Sequence, residues 1–131
     1  MIQEAYVSFE VAKLLKEKGF PQDPYMCNTA YTSRGRMSNN AKSFMHNSHL
    51  LVQSRCYSIA PTQQMAMRWL REVHDLNIEI DTIGRKDKGT LSWRSTVYNL
   101  NNQYECYYNE TCESYEQACE AAIKYCLENL I

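Results

Sequence analysis

The strongest structural signal in this chain is an apolar stripe at helical spacing between residues 61 and 74. Pro61 suits the first helical turn, because the N–H that it lacks would have no partner there. A helix with such a stripe buries it against another layer, which constrains the fold of the neighbouring chain. The stripe recurs at i, i+3, i+4, i+7, i+8 and i+11 and consists of Thr62, Met65, Ala66, Trp69, Leu70 and Val73.

Three segments with alternating side chains follow this helix. Residues 78–83, 91–98 and 104–108 alternate in the way that half-buried strands do. A glycine-bounded loop at 84–89 and an Asn101-Asn102 turn separate the segments. Because parallel pairing would need longer crossovers, the three strands are predicted to form an antiparallel meander.

A second helix is predicted after the strands, beginning at the capping box Ser114-x-x-Gln117. Residues 60–131 therefore predict an α-β-β-β-α unit of the α+β class, with two layers and both helices on one face of the sheet. The buried stripe of this last helix is predicted to be Tyr115, Cys119, Ala122, Ile123, Cys126, Leu127 and Leu130. The residues expected to be largely buried in the core are Trp69, Leu70, Ile123 and Leu130.

Residues 1–59 predict one helix and then a region with weaker signals. Ser8 caps the helix, and Gly19 ends it. The later segments are predicted in this order: a strand at 25–31, a turn at 33–36, a loop or short helix at 37–48, and a strand at 50–57. All 131 residues fit one domain with one core.

Composition indicates a chain that works in the cytoplasm. No apolar run approaches the roughly 18–20 residues of a membrane span, and the N-terminus lacks the basic start and apolar stretch of a signal peptide. The six cysteines are then expected to be reduced. A disulfide framework in a secreted protein is the alternative.

Charge is distributed unevenly along the sequence. The 48 positions between Asp23 and Glu72 contain no acidic residue but six arginines and lysines. Residues 101–131 hold six glutamates against Lys124 alone. A basic middle and an acidic end suit an interface with a protein partner or a second copy of the chain. Nucleic acid is the alternative partner of the basic middle.

Two clusters of cations lie near aromatic residues and are the candidate binding residues. Cations could contact phosphates while nucleic-acid bases stack on the tyrosines. The simpler interpretation is two solvated hairpin turns. The first cluster is Tyr25, Tyr31, Arg34 and Arg36, and the second is Arg85, Lys86 and Lys88.

No motif predicts catalysis or a cofactor. The His46-x-x-His49 spacing fits a zinc site, with Cys27 or Cys56 as further ligands, but the companion pair is missing. No glycine-rich phosphate loop is present, and nothing marks a catalytic partner for His74. The sequence therefore predicts a non-catalytic binding protein without metal or cofactor, and an unrecognised enzyme is the third interpretation after the nucleic-acid alternative.

The helix–three strands–helix order resembles double-stranded RNA-binding domains. Residues 116–123 are similar to the alanine-rich opening of that family's final helix. The family places lysines at this helix start, where the chain has Glu113, Glu116 and Glu120. Because carboxylates repel a phosphate backbone, the resemblance implies the topology but not RNA binding.

Three segments also resemble a family of small uncharacterised proteins from gut Bacteroidetes and their phages. These are residues 5–20, residues 60–74 and the closing helix, roughly half of the chain. The resemblance implies a mobile-element or host-accessory context and no catalytic activity.

Overall fold

The computed structural model describes residues 3–44, 58–84 and 91–131. The chain divides into two compact units, residues 1–62 and residues 63–131, and each is described by itself. The described residues form α-helices and two three-stranded antiparallel sheets, which confirms the α+β class. The division falls within three residues of the predicted start of the α-β-β-β-α unit. The prediction of a single domain stays a prediction.

The N-terminal unit contains one α-helix and a small sheet of very short strands. Its strand order is β2-β1-β3, and both pairings are antiparallel. The elements are α1 (Phe9–Glu17), β1 (Ala30–Tyr31), β2 (Met37–Ser38), a 3₁₀ helix (Ala41–Phe44) and β3 (Ser58–Ile59).

The first helix begins and ends as predicted. The Ser8 hydroxyl accepts a hydrogen bond from the Val11 amide at 3.2 Å, which satisfies one of the free N–H groups of the first turn. Gly19 adopts a φ of 97°, in the left-handed region that glycine occupies without strain. The helix buries Val11, Ala12 and Leu15.

The predicted strand at 25–31 is mostly wrong. Only Ala30–Tyr31 is a strand, and a turn occupies residues 24–26. The reason is local competition from Asp23, whose side chain accepts a hydrogen bond from the Tyr25 amide at 2.9 Å. Its carbonyl also accepts from the amides of Met26 and Cys27, both at 3.0 Å. An Asx turn of this kind satisfies the backbone without a sheet partner.

The turn predicted at 33–36 is confirmed, since turn and bend residues separate β1 from β2. Residues 37–48 are predicted as a loop or a short helix, and the described part of this segment contains β2 followed by the 3₁₀ helix. The strand predicted at 50–57 lies outside the described residues.

The C-terminal unit is the predicted helix–three strands–helix. Its strands form an antiparallel meander in the order β4-β5-β6, as expected. The hairpin loop between the first two strands falls largely outside the described residues. The elements are α2 (Gln63–His74), β4 (Leu76–Ile83), β5 (Ser92–Asn99), β6 (Asn102–Cys112) and α3 (Tyr115–Asn129).

Both helices cover the same face of this sheet. The second helix packs on β4 and on α3, and α3 packs on all three strands. Ile78 and Val97 are register partners on the covered face, and both are buried. Glu79 and Asp81 alternate with Ile78 on the opposite face and are exposed. The two-layer arrangement of the C-terminal unit therefore matches the prediction.

The buried stripe of α2 is rotated relative to the prediction. Its buried residues are Gln63, Ala66, Met67 and Leu70, at i, i+3, i+4 and i+7. Gln63 lies outside the stripe predicted from the sequence. Its side-chain amide donates to the Glu116 carbonyl at 3.0 Å, which allows a polar group to be buried.

Two of the four residues predicted to be largely buried are confirmed, and two are wrong. Leu70 and Ile123 are fully buried. Trp69 is only half-buried, because the rotation of α2 moves its ring to the rim, where it packs edge-on against His74. Leu130 is also half-buried, because it is the C-cap residue after the last turn of α3.

Candidate partner-binding surface

A tight turn in the N-terminal unit presents two arginines, Arg34 and Arg36. Thr32 holds the turn: its amide donates to the Arg36 carbonyl at 2.8 Å, and its carbonyl accepts from the Gly35 amide at 3.0 Å. Its hydroxyl accepts from the Arg36 amide at 3.1 Å. Gly35 has a φ of 80°, a conformation that residues with a side chain rarely adopt. The turn thus depends on glycine between the two arginines.

The turn lies directly against an aromatic residue at the start of α1. A Cβ atom on Gly35 would lie 2.9 Å from Cδ2 of Phe9, which is closer than van der Waals contact allows. The Phe9 ring also contacts Tyr31, with 5.4 Å between ring centroids. The Tyr31 hydroxyl in turn donates to the Val7 carbonyl at 2.7 Å. These contacts fix the position of the arginines relative to α1.

A third cation completes this cluster. Nζ of Lys13 lies 4.6 Å from the centroid of the Phe9 ring, a cation–π contact between residues one helical turn apart. Arg34 and Arg36 are exposed, and neither guanidinium makes an ion pair or a hydrogen bond within the described residues. We call the surface formed by Phe9, Lys13, Tyr31, Arg34 and Arg36 the arginine-turn surface.

The other candidate residues do not belong to the arginine-turn surface. Tyr25 is 72% exposed in the turn after Asp23, and Nζ of Lys42 lies 5.2 Å from its ring centroid. The Tyr25 ring therefore makes its cation–π contact with Lys42. The second predicted cluster, Arg85, Lys86 and Lys88, lies outside the described residues, as do His46, His49 and Cys56.

Phe9 and Lys13 belong to the arginine-turn surface, although the sequence did not predict them as binding residues. Their signal was present as an aromatic residue and a lysine at i and i+4 on a predicted helix. What the sequence did not show is that a distant glycine turn would pack against that pair.

On the exposed face of the C-terminal sheet, the charged groups of β4 and β5 already have partners. Arg94 pairs with Asp81, and the Tyr98 hydroxyl donates to a Glu79 carboxylate oxygen at 2.6 Å. That hydrogen bond and partial burial raise the pKa of the Tyr98 hydroxyl above its usual value. Compared with the arginine-turn surface, this face offers fewer free charges to a partner.

A cleft of about 620 Å³ lies elsewhere in the N-terminal unit. Most of its walls are exposed, and Glu4 supplies its charged group. An open cleft with this mixture of side chains does not select one class of ligand. Its lining consists of Gln3, Glu4, Tyr6, Thr29, Met37 and Asn39.

The buried thiols are poorly suited to nucleophilic chemistry. Burial raises the pKa of Cys119 to about 11 and that of Cys126 to about 12, so the reactive thiolate is scarce near neutral pH. Cys27 is also buried, whereas Cys106 is exposed. The five cysteines in the described part of the chain are all free. The residues that the structure describes also contain no cluster of three or more His, Cys, Asp or Glu side chains able to hold a metal ion.

The two units carry opposite net charges. Residues 1–62 contain seven arginines and lysines against four acidic residues, a net charge of +3. Residues 63–131 contain seven against eleven, a net charge of −4. Exposed carboxylates of the C-terminal unit include Glu110 at the end of β6, Glu113 before α3 and Glu116 in its first turn.

Among the residues that the structure describes, no helix is both long enough and apolar enough to cross a bilayer. Comparison with known proteins returned no matching family model, curated protein or solved structure.

Proposed function

We propose that the protein acts without catalysis, by binding an acidic segment of another protein at the arginine-turn surface. One observation carries this proposal: Arg34 and Arg36 are exposed and unpaired within the described residues, on a turn that is held against Phe9. The cations are thus free, while the backbone that presents them is fixed.

The chemistry of arginine favours a carboxylate-bearing partner. A guanidinium can bind a carboxylate through two parallel hydrogen bonds, and arginine is enriched among the residues that dominate binding energy at interfaces. Because the turn is already fixed by Thr32 and Phe9, binding does not have to order its backbone. Preorganisation of this kind lowers the entropic cost of association.

The aromatic residues favour a protein over a single-stranded nucleic acid. Base stacking needs open ring faces, and Lys13 lies over one face of the Phe9 ring. Lys42 lies over the ring of Tyr25 in the same way. The rings therefore serve as supports for the chain's own cations. A nucleic-acid-binding accessory protein that also uses Arg85, Lys86 and Lys88 is the alternative.

The resemblance to small proteins of gut Bacteroidetes and their phages supports a role in a mobile-element or host-accessory context. An acidic protein of the element or of its host is a suitable partner in that context. This part of the proposal rests on the resemblance alone.

A binding assay with poly-L-glutamate as a model acidic polypeptide tests the proposal. The variant R34Q/R36Q is expected to bind about tenfold more weakly than the parent, because it loses two charge-assisted contacts of about 0.5–1 kcal/mol each. The matched control is R68Q/R71Q, which removes two exposed arginines from α2 of the C-terminal unit. It should bind like the parent. Parental binding should also weaken as salt is raised.

Equal binding by R34Q/R36Q and the parent would overturn the proposal. The nucleic-acid alternative is tested by gel shift at near-physiological salt with duplex RNA, single-stranded RNA and single-stranded DNA. Tighter binding to one of these than to poly-L-glutamate, lost in R34Q/R36Q, would favour that alternative.

A further inference from the structure

We infer that the acidic segment belongs to a second copy of this chain, so that the N-terminal unit of one copy binds the C-terminal unit of another. This inference rests on the proposed function and names its partner. Charge complementarity carries it, because one unit has a net charge of +3 and the other a net charge of −4. Opposite potentials on two surfaces steer association and fix its register.

The acidic side of such a contact is the end of β6 and the start of α3. No lysine or arginine occurs between Arg94 and Lys124, a run of 29 residues that contains five glutamates. Glu110, Glu113 and Glu116 in this run are exposed and make no ion pair within the described residues. These carboxylates, like the guanidinium groups of Arg34 and Arg36, are therefore free to form ion pairs with a partner.

The position of β6 supports a contact here. It is the longest strand of its sheet and lies at the edge, with β5 on one side. An edge strand presents backbone N–H and C=O groups that a neighbouring chain can use. The acidic end of this strand therefore offers a partner hydrogen bonds as well as charge.

The contact joins two different surfaces, and every copy carries both of them. A dimer that uses both contacts has twofold symmetry. The expected assembly is a dimer that dissociates as salt screens the charges.

Sedimentation equilibrium of the full chain over two decades of protein concentration tests this. The parent is expected to be a reversible dimer at low salt that weakens at high salt. R34E/R36E and E110K/E113K should each be monomeric when alone. In each variant the reversed surface has the same charge as the surface that it would contact on a second copy, so the two surfaces repel each other. Their equimolar mixture should dimerise again, since each reversed surface then meets its complement. Circular dichroism of each variant confirms that it is folded.

The control pairs E110K/E113K with R68E/R71E, which has the same charge reversal at a different place. Heterodimers of this control pair as strong as those of the complementary pair would overturn the inference. A parent that stays monomeric, with no recovery in the complementary mixture, would also overturn it. If that parent still binds poly-L-glutamate through Arg34 and Arg36, the proposed function stands with a different partner. If it does not bind, both fail.

Discussion

Replacing Leu70 with alanine is expected to lower the free energy of unfolding by about 2–5 kcal/mol. The side chain is fully buried in the C-terminal unit, so truncation removes apolar contacts and leaves a cavity. Val73 lies three residues further along the same helix and is 58% exposed. Val73→Ala should therefore change the stability by only about 0.5 kcal/mol. Urea unfolding followed by tryptophan fluorescence measures both, because Trp69 and Trp93 lie in this unit.

This pair of variants distinguishes the observed stripe of α2 from the one that the sequence predicted. The predicted stripe includes Trp69 and Val73, and full burial of Trp69 would imply a loss of about 3–5 kcal/mol on truncation to alanine. With its ring half-buried, Trp69→Ala should cost less than Leu70→Ala. A larger loss for Trp69→Ala or Val73→Ala than for Leu70→Ala would contradict the orientation of α2 described above.

Replacing Gly35 with alanine is expected to be more destabilising than the same change at Gly19 or at Gly84. Its φ of 80° imposes strain of about 1–3 kcal/mol on any residue with a side chain. The added Cβ would also lie 2.9 Å from Phe9, and this clash adds to the strain. Thermal unfolding monitored by circular dichroism compares the variants.

Gly19 and Gly84 separate these effects. Gly19 has a φ of 97° but nothing within 4 Å of an added Cβ, so Gly19→Ala should cost about 1–2 kcal/mol for backbone strain alone. Gly84 has neither constraint, and Gly84→Ala should stay within about 0.5 kcal/mol of the parent. An unchanged melting curve for Gly35→Ala would show that the turn does not press against Phe9.

The elements that the sequence predicted correctly are those specified by local signals. Ser8 and Ser114 cap their helices through hydrogen bonds to residues three positions along the chain. The three strands of the C-terminal unit alternate over long enough segments to define one buried face. Residues close together in the sequence determine these caps and strands, so a single sequence was sufficient to predict them.

The errors arose where a long-range contact or a competing local hydrogen bond decided the outcome. The rotation of α2 depends on the Gln63 amide reaching Glu116, which no local pattern shows. The strand predicted at 25–31 was displaced by the Asp23 turn. The candidate site was predicted only in part for the same reason. Arg34, Arg36 and Tyr31 were recognised, but the packing of Gly35 against Phe9 joins residues 26 positions apart.

The most direct test of the proposed function is to map where an acidic polypeptide binds. Backbone amide chemical shifts of ¹⁵N-labelled protein can be recorded during titration with poly-L-glutamate. We predict that the largest shifts occur at Arg34, Gly35 and Arg36 and in the first turns of α1, and that R34Q/R36Q needs about tenfold more poly-L-glutamate to reach the same fraction of its maximal shift. Large shifts confined to the C-terminal unit, or a spectrum that does not change, would contradict the claim that the arginine-turn surface binds the partner.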